Sequence, residues 1–259
     1  MLILLTNDDG IHSAGLQALA GQLQSFGRIV VVAPDRERSA VGHALTLHAP
    51  LRAEEIRKDQ WAVSGTPTDA VSLAIGGLLK EKPDLVISGI NKGGNMGDDL
   101  TYSGTVAAAM EATLMGIPAI AVSLAAQSFK YDDFANAAKV ANQLAATVLE
   151  HGLPSDTFLN INVPDQKPLG MQLTRQGKRI YEDAVVENRD PRGRSYYWLG
   201  AGELGFQNLE GTDFHAVQHG YVSVTPLHLD LTNYAAMDRL RQWQLETIPL
   251  DVDDVGSAS

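Results

Sequence analysis

Short apolar runs that end abruptly at polar side chains recur along the chain. The first run, at residues 2–5, leads directly into an asparagine, two aspartates and a glycine at residues 7–10. Continuous apolar runs of this length are typical of strands that are buried on both faces of a parallel sheet. The pattern predicts further strands at residues 29–33, 61–63, 84–88, 119–122, 158–163 and 221–225.

Apolar residues spaced three and four apart predict helices between these strands. Leu16, Leu19 and Leu23 mark the first helix, which is expected to end near Gly27. Further helices are expected at about residues 67–79, 105–115 and 134–148. The alternation of strands and helices favours one α/β unit with a mostly parallel sheet over two independent domains.

Two shorter patterns have a structural interpretation. Thr66 can cap a helix, Pro67 is well suited to its first position, and Asp69 can complete a capping box. Leu45 and Leu47 alternate with polar neighbours, which favours a further strand there.

The chain changes character at residues 171–209, where aromatic and β-branched residues flank the turn-forming segment 189–193. This pattern predicts a β-hairpin that extends from the core. Thr232 is expected to cap a last helix that contains Leu240 and Trp243. We therefore expect a single domain over residues 1–259, with a core at about 1–170, hairpin and C-terminal oligomerisation segments at about 171–250, and a disordered tail at 251–259.

Subunit contacts are the expected role of these late segments. Tyr196, Tyr197, Trp198 and Trp243 would be costly to expose on an extension. We therefore expect these side chains to be covered by another copy of the chain.

The composition excludes several classes of protein. A formal net charge of −11 argues against a protein that coats nucleic acid, which needs a basic face. The absence of cysteine excludes disulfides, thiolate nucleophiles and cysteine-based zinc sites. No apolar run is long enough to cross a membrane, and the chain begins in a strand rather than in a basic and apolar leader. We therefore expect a cytoplasmic enzyme that binds neither a nucleic-acid polymer nor a membrane.

Three predicted strands lead into oxygen-bearing or glycine-rich segments, at residues 7–10, 34–39 and 89–95. Parallel strands bring such loops to one edge of the sheet, where open α/β sheets bind ligands. Asp8 and Asp9 would repel each other there unless a cation or a proton lay between them. Carboxylate, hydroxyl and amide oxygens suit Mg²⁺, Mn²⁺ or Ca²⁺. Surface turns are also rich in aspartate and glycine, so a plain turn is the alternative.

A candidate phosphate cradle lies at residues 102–105, directly before a predicted helix. Hydroxyl residues and a glycine at a helix N-terminus can bind phosphate, because the first backbone N–H groups lack partners within the helix. The glycines of residues 89–95 also let backbone N–H groups approach an anion closely. The alternative is that Ser103 is a simple N-cap; the nearby acidic pair favours the cradle.

Several common catalytic motifs are missing from the sequence. It contains no Walker A motif, no GxGxxG turn after the first strand and no GxSxG elbow. None of the seven histidines has HExxH spacing. We interpret His215 and His219 as structural, and the role of His43 stays open.

Six motifs are spread over most of the chain. They are Asn7-Asp8-Asp9-Gly10, Ala33-Pro34-Asp35-Arg36 with Arg38-Ser39, Gly65-Thr66-Pro67-Thr68-Asp69, Ser88-Gly89-Ile90-Asn91 with Gly93 and Asn95, Tyr102-Ser103-Gly104-Thr105, and residues 220–227. Together they resemble the SurE family of survival-protein nucleotidases, although each motif is ordinary by itself.

The resemblance implies a Rossmann-like core and a metal-dependent phosphatase that acts on nucleoside 5′- and 3′-monophosphates, with some activity on short polyphosphate. It also implies dimers, often paired into tetramers, with exchanged C-terminal segments. By motif, the resemblance places one divalent cation per subunit on Asp8, Asp9, Ser39 and Asn91, and the phosphate on Asn95, Ser103, Gly104 and Thr105.

The resulting hypothesis is hydrolysis of a phosphomonoester by a metal-activated water, with backbone N–H groups at residues 103–105 stabilising the phosphoryl oxygens. Asp8 and Asp9 are the candidate catalytic residues, each as a base or only as a ligand. One alternative is a phosphatase that forms an aspartyl phosphate, whose Asp-x-Asp motif would need a carboxylate where Asn7 stands. The other is a metal-dependent nucleotide sensor without catalysis.

Overall fold

A computed structural model describes residues 1–181, 185–199 and 204–248 of the chain. The chain divides into a main unit, Met1–Leu229, and a C-terminal unit that begins at Asp230. The tail at residues 251–259, for which disorder is predicted, lies outside the described residues.

Thirteen strands are found in the described part of the chain. They are β1 (Leu2–Thr6), β2 (Arg28–Pro34), β3 (Ala53–Arg57), β4 (Gln60–Val63), β5 (Leu85–Lys92), β6 (Ala119–Ala125), β7 (Thr157–Pro164), β8 (Met171–Leu173), β9 (Arg179–Tyr181), β10 (Val185–Arg189), β11 (Ser195–Leu199), β12 (Leu204–Phe206) and β13 (Val222–His228). Nine of these strands form one sheet in the order β3-β4-β2-β1-β5-β6-β7-β13-β8. β1 pairs in parallel with both β2 and β5, whereas β13 runs antiparallel to β7. The predicted mostly parallel sheet is confirmed.

Six α-helices complete the described part of the chain. They are α1 (Ala14–Gln22), α2 (Pro67–Leu73), α3 (Gly104–Leu114), α4 (Ala135–His151), α5 (Asp213–Gln218) and α6 (Tyr234–Leu240). Thr66 and Asp69 form the predicted capping box of α2, which a π-helical turn, Ala74–Leu78, extends. Within the described residues, no helix combines the length and the apolar character needed to span a bilayer.

The continuous apolar runs are explained by helices on both faces of the sheet. In β1, Ile3 and Leu5 join a core that α1 and α4 cover, whereas Leu2 and Leu4 join a second core that α2 and α3 cover. Successive side chains of a strand point to opposite faces, so a strand between two helical layers must be apolar at every position. The predicted α/β architecture is thereby confirmed.

Two local predictions are wrong. The segment around Leu45 and Leu47 is not a strand, and Leu47 is 77% exposed. The edge of the sheet is instead formed by β3, which is antiparallel to β4. The alternation of apolar and polar residues around Leu45 and Leu47 was misleading, because no neighbouring strand pairs with this segment in the described part of the chain. The cap of α6 is Asn233 rather than Thr232, since the Asn233 side chain accepts a hydrogen bond from the Ala236 N–H.

The predicted hairpin is confirmed, but it is shorter than residues 171–209. β10 pairs with β11, and β9 pairs with β12, while β8 joins the main sheet beside β13. The Asp190 carboxylate closes the turn by accepting hydrogen bonds from the N–H groups of Arg192 (2.8 Å) and Arg194 (2.9 Å). The hairpin exposes Tyr197 and Trp198, each about 60% accessible.

Candidate active site

The acidic pair lies at the carboxyl end of the central strand β1. Asp8 is 5% exposed, and only 5% of the Asp9 side chain is accessible. Asn7, which is fully buried, shapes the turn by donating hydrogen bonds from its side-chain amide to Ser13 Oγ (2.6 Å) and to the Gly10 carbonyl (3.2 Å). Two carboxylates are therefore held side by side with little contact with solvent.

The N-terminus of α3 holds Asp8 in place. Thr105 donates its hydroxyl to Asp8 Oδ1 (2.6 Å) and its backbone N–H to Asp8 Oδ2 (3.2 Å). Ser103 caps the helix by accepting a hydrogen bond from the Val106 N–H at 3.1 Å. A carboxylate at this position is favoured because the partial positive charge of the helix dipole lies at the N-terminus.

Gly104 allows the close approach of α3 to Asp8. A Cβ atom at Gly104 would lie 2.8 Å from Asp8 Cβ and 3.0 Å from Asp8 Oδ2. Contacts of that length are shorter than a side chain tolerates, so glycine is the only residue that fits without displacement. Three of the residues predicted to bind phosphate, Ser103, Gly104 and Thr105, therefore adjoin the acidic pair.

Asp9 connects β1 to the end of β5. The Lys92 N–H donates a hydrogen bond to Asp9 Oδ2 (3.2 Å), and the Lys92 ammonium lies 3.5 Å from Asp9 Oδ1. The preceding residue, Asn91, donates its side-chain N–H to the Gly93 carbonyl at 2.9 Å. This engages the nitrogen of the Asn91 amide and leaves its oxygen as the group suited to a cation.

The segment after β2 also reaches the acidic pair. The Arg38 N–H donates a hydrogen bond to the Asp8 carbonyl at 2.7 Å, which places Ser39 one residue from this contact. Gly10 has a φ of +94°, and a Cβ at that position would lie 3.0 Å from the Arg36 backbone. The Ser39 hydroxyl is exposed and donates to Glu37 Oε1 at 2.8 Å.

Both aspartates have raised pKa values. Burial is the main cause for Asp8, and the hydrogen bonds from Thr105 oppose it without cancelling the rise in pKa. Burial also raises the pKa of Asp9, the charge of Asp8 adds to it, and Lys92 opposes it. Glu37 raises the pKa of both groups. Burial therefore disfavours the ionised form of both carboxylates in the protein alone.

Asn95 is clamped by side chains from β6 and β7. Its carbonyl accepts hydrogen bonds from the amides of Asn160 and Asn162, both at 2.9 Å, and its N–H donates to Asn162 Oδ1 at 2.8 Å. Its side-chain amide donates to Ser123 Oγ at 2.8 Å. Sequence analysis missed Asn160 and Asn162. Their signal was two asparagines at alternate positions of an otherwise apolar strand.

A second, partly buried contact connects α3 with the exposed loop after β2. His43 Nε2 lies 2.9 Å from Glu111 Oε2, and the Ser72 hydroxyl donates to Glu111 Oε1. Glu111 is 8% exposed. His43, whose role the sequence left open, therefore anchors the loop that carries Ser39.

The donor set fits a hard divalent cation. Two adjacent carboxylates, an amide oxygen and a hydroxyl are oxygen donors of the type that Mg²⁺ and Mn²⁺ prefer. Across the described ranges, no group of three histidine, cysteine or acidic side chains could hold a metal. A cation at this edge would therefore need the hydroxyl and amide donors as well as Asp8 and Asp9.

The fold and the site define an open α/β protein with an acidic cluster at the carboxyl edge of its sheet. The family model described as "Survival protein SurE" matches residues 3–183. The chain therefore belongs to the SurE family.

The chain is similar in sequence to named relatives over nearly its whole length. The 5'-nucleotidase SurE of Syntrophotalea carbinolica is 62% identical over 245 residues, which cover 95% of this chain and 98% of that relative. The 5'-nucleotidase SurE of Geobacter metallireducens is 60% identical over 253 residues, which cover 96% and 100%. The crystal structure of the SurE protein from Aquifex aeolicus is 48% identical with a TM-score of 0.85, over 94% of this chain and 100% of that chain.

Proposed function

We infer that the protein is a 5′-nucleotidase, a hydrolase that removes phosphate from nucleoside monophosphates. The observation that carries this inference is the buried acidic pair held against the N-terminus of α3. Relatives about 60% identical over nearly the full chain are named 5'-nucleotidase SurE, which supports the same activity.

We propose that one divalent cation, Mg²⁺ or Mn²⁺, is held by Asp8, Asp9, Ser39 and Asn91. Metal dependence is general among the nucleotidases of this family. The burial of two adjacent aspartates supports the proposal, because a dication would stabilise in the ionised form two carboxylates whose pKa values burial raises. Rotation of the exposed Ser39 side chain away from Glu37 would free its hydroxyl oxygen for the cation.

We propose that Asn95, Ser103, Gly104 and Thr105 form the phosphate site, although not all of them contact the phosphate directly. Thr105 is fully buried and its two donors already hold Asp8, so its contribution is to position this carboxylate and the first turn of α3. Asn95 has one N–H of its amide on Ser123, and an amide has a second N–H that can be donated to a phosphoryl oxygen. Asn160 and Asn162 of β7 fix the Asn95 backbone, and Ser123 of β6 fixes the direction of the side-chain amide.

The chain's own residues orient the reaction. When bound, the cation would lower the pKa of a water molecule and would neutralise negative charge on the phosphoryl oxygens. The backbone N–H of Gly104, at the start of α3, and the amide of Asn95 would stabilise the charge that develops on those oxygens, since the Ser103, Thr105 and Val106 N–H groups already donate within the protein. Asp9 is the better candidate for accepting a proton from the attacking water, because Asp8 already accepts two hydrogen bonds from Thr105. Lys92 lies beside Asp9 and supports its ionised form.

An aspartyl-phosphate mechanism is disfavoured by the same contacts. Both oxygens of Asp8 accept hydrogen bonds from Thr105, and the residue is almost inaccessible. The side chain that would provide the first carboxylate of an Asp-x-Asp motif is Asn7, which is fully buried. The sensor hypothesis has no support among the relatives, which are named as enzymes.

The discriminating experiment measures phosphate release from AMP, GMP and an aryl phosphate, with Mg²⁺ or Mn²⁺ and with a chelator. We expect the wild type to hydrolyse the substrates only when the metal is present. We expect the Asp9→Asn variant to fold but to release no phosphate. Metal-dependent nucleotide binding without turnover would support the sensor instead. Nucleoside 3′-monophosphates and short polyphosphate belong in the same panel, since we propose that both are also substrates.

We further propose that the chain is one domain with oligomerisation segments, and that it forms dimers that can pair into tetramers through exchanged C-terminal segments. The exposed aromatic side chains of the hairpin support subunit contacts. A cytoplasmic location and a contribution to stationary-phase survival complete the proposal.

A further inference from the structure

A cavity of about 770 Å³ opens next to the residues that hold Asn95. Ala125 and Pro164, the last residues of β6 and β7, form part of its lining, together with Met96. Its other walls come from α5 and from β12. The volume lies within the range of about 300–1,000 Å³ that is usual for small-molecule sites.

The cavity begins a short distance along β6 and β7 from the residues that anchor Asn95. Asn95 is anchored on Ser123 and Asn162, which are paired in register on β6 and β7. Ala125 and Pro164 are the paired residues two positions further along the same strands. Because a strand rises about 3.3 Å per residue, the cavity begins about 7 Å from the Asn95 anchor. A molecule whose phosphate contacts Asn95 and that extends along these strands would therefore reach the cavity within a few bonds.

The cavity walls suit an uncharged aromatic group. Phe206 and Phe214 are stacked, with their ring centroids 4.8 Å apart and their planes 6° apart. Phe206 is half-buried, so part of its ring surface stays accessible. Aromatic side chains stack on the faces of nucleobases regardless of the base.

The polar groups of the cavity suit the edges of a base or a sugar. Gln127, Gln166 and Gln218 are exposed, and each amide offers both donors and an acceptor. The charged side chain in the lining is a carboxylate, Asp165, and no lysine or arginine among the described residues joins it. The described lining therefore offers a phosphate no positive charge, whereas a neutral nucleoside needs none.

We propose that this cavity binds the nucleoside part of the substrate, with the base against Phe206 and the glutamine amides. The proposal rests on the nucleotidase function inferred above, and it assigns the base contacts of that substrate. It predicts that the enzyme prefers nucleoside monophosphates to sugar phosphates of similar charge.

The test compares AMP with ribose 5-phosphate, which lacks the base, in the wild type and in Phe206→Ala. We expect the variant to lose about tenfold in kcat/KM for AMP, mainly through KM, and to keep its kcat/KM for ribose 5-phosphate. Phe26→Ala removes a partly buried phenylalanine elsewhere in the main unit and is the matched control, which should leave the ratio of the two substrates unchanged. Gln218→Ala, at an exposed position, is a second variant. It should also lower kcat/KM for AMP while leaving kcat/KM for ribose 5-phosphate unchanged.

Adenosine binding measured by calorimetry without metal provides a readout that does not need turnover. Weaker binding to Phe206→Ala than to Phe26→Ala supports the proposal. Equal losses for AMP and ribose 5-phosphate in both cavity variants, or unchanged AMP kinetics in both, would overturn it while the nucleotidase function stands. A wild-type enzyme that releases phosphate from neither compound would overturn both.

Discussion

Asp8 and Thr105 are separated by 97 positions in the sequence but share two hydrogen bonds in the folded chain. A buried carboxylate is costly unless donors surround it, and the first turn of α3 provides those donors. At the scale of single residues, the site therefore depends on side chains that position the acidic pair as much as on the pair itself.

Asn162 shows the same dependence for Asn95. Replacing Asn162 by alanine removes two hydrogen bonds to the Asn95 backbone, so we expect the free energy of unfolding to fall by about 1–3 kcal/mol. We also expect kcat/KM for AMP to fall, because Asn95 loses its fixed direction. Asn142→Ala is the matched control, since its amide donates one bond to the Gln22 carbonyl at the surface. Equal activity in the two variants would contradict the positioning role.

Some residues of the site could be predicted from the sequence and others could not, and the difference has a physical reason. Asp8, Asp9 and Asn91 could be predicted because they follow apolar strands whose parallel direction brings their ends together. Asn160 and Asn162 could not be assigned, because an asparagine within a strand reveals neither the face it occupies nor its partner. The contact between His43 and Glu111 joins residues 68 positions apart and was equally hidden.

At the scale of elements, the start of α3 and the long loop after β2 decide the geometry of the site. The positions of α3 and of the buried strands β1, β2, β5, β6 and β7 followed from apolar patterning, since burial selects those residues directly, whereas the more exposed β3 and β8 were not predicted. The loop did not, because the alternation of Leu45 and Leu47 lies on an exposed segment. Its fixed points are single polar contacts, such as the hydrogen bond from the Thr46 N–H to Asp69 Oδ1 at 2.8 Å.

Gly104→Ala tests the close approach of α3. The added Cβ would meet Asp8 Cβ at 2.8 Å, so the helix or the carboxylate must move. A displacement of about 1 Å can cost about 100-fold in rate, and we expect a loss of that order in kcat/KM with the helix content retained in circular dichroism. Gly76→Ala is the control, because no atom lies within 4 Å of its Cβ position. Unchanged kinetics in Gly104→Ala would show that α3 does not constrain Asp8.

The pKa of Asp69 allows a prediction of how acid affects the stability of the loop after β2. Burial by itself would raise the pKa of Asp69, but hydrogen bonds from Thr46 and Thr66 outweigh it, so the folded pKa lies below the ordinary value of 3.8. A lowered pKa contributes stability that is fully present above 3.8 and is lost as the pH falls through the folded pKa.

We therefore expect thermal unfolding between pH 5 and pH 2 to show a steeper loss of Tm in the wild type than in Asp69→Asn. The variant should also be less stable at pH 7, because it loses charge-assisted hydrogen bonds to the cap of α2. Parallel Tm profiles for the two proteins would contradict this assignment.

At the scale of the whole molecule, the sheet separates two cores, while the hairpin leaves aromatic side chains uncovered within one chain. Tyr196, Tyr197, Trp198 and Leu199 are 44–80% exposed on β11. Exposed apolar surface of this kind marks an interaction site. A second copy of the chain is the partner that the resemblance to the family implies.

Sedimentation velocity tests this expectation. The wild type should sediment as a dimer or larger species, and Trp198→Asp should shift the protein towards the monomer because it places a charge in an apolar contact. Leu114→Asp, which alters a leucine on α3 that is 56% exposed, is the control and should leave the assembly unchanged. A wild-type protein that sediments as a monomer would contradict the proposed oligomer.

The central claim is that a dication neutralises the buried acidic pair at the end of β1. The most direct measurement is anomalous diffraction from crystals soaked in Mn²⁺. The account predicts a peak about 2.0–2.6 Å from oxygens of both Asp8 and Asp9, which is lost in identically soaked Asp9→Asn crystals. A wild-type crystal without a peak there, from protein that still hydrolyses AMP, would contradict the claim.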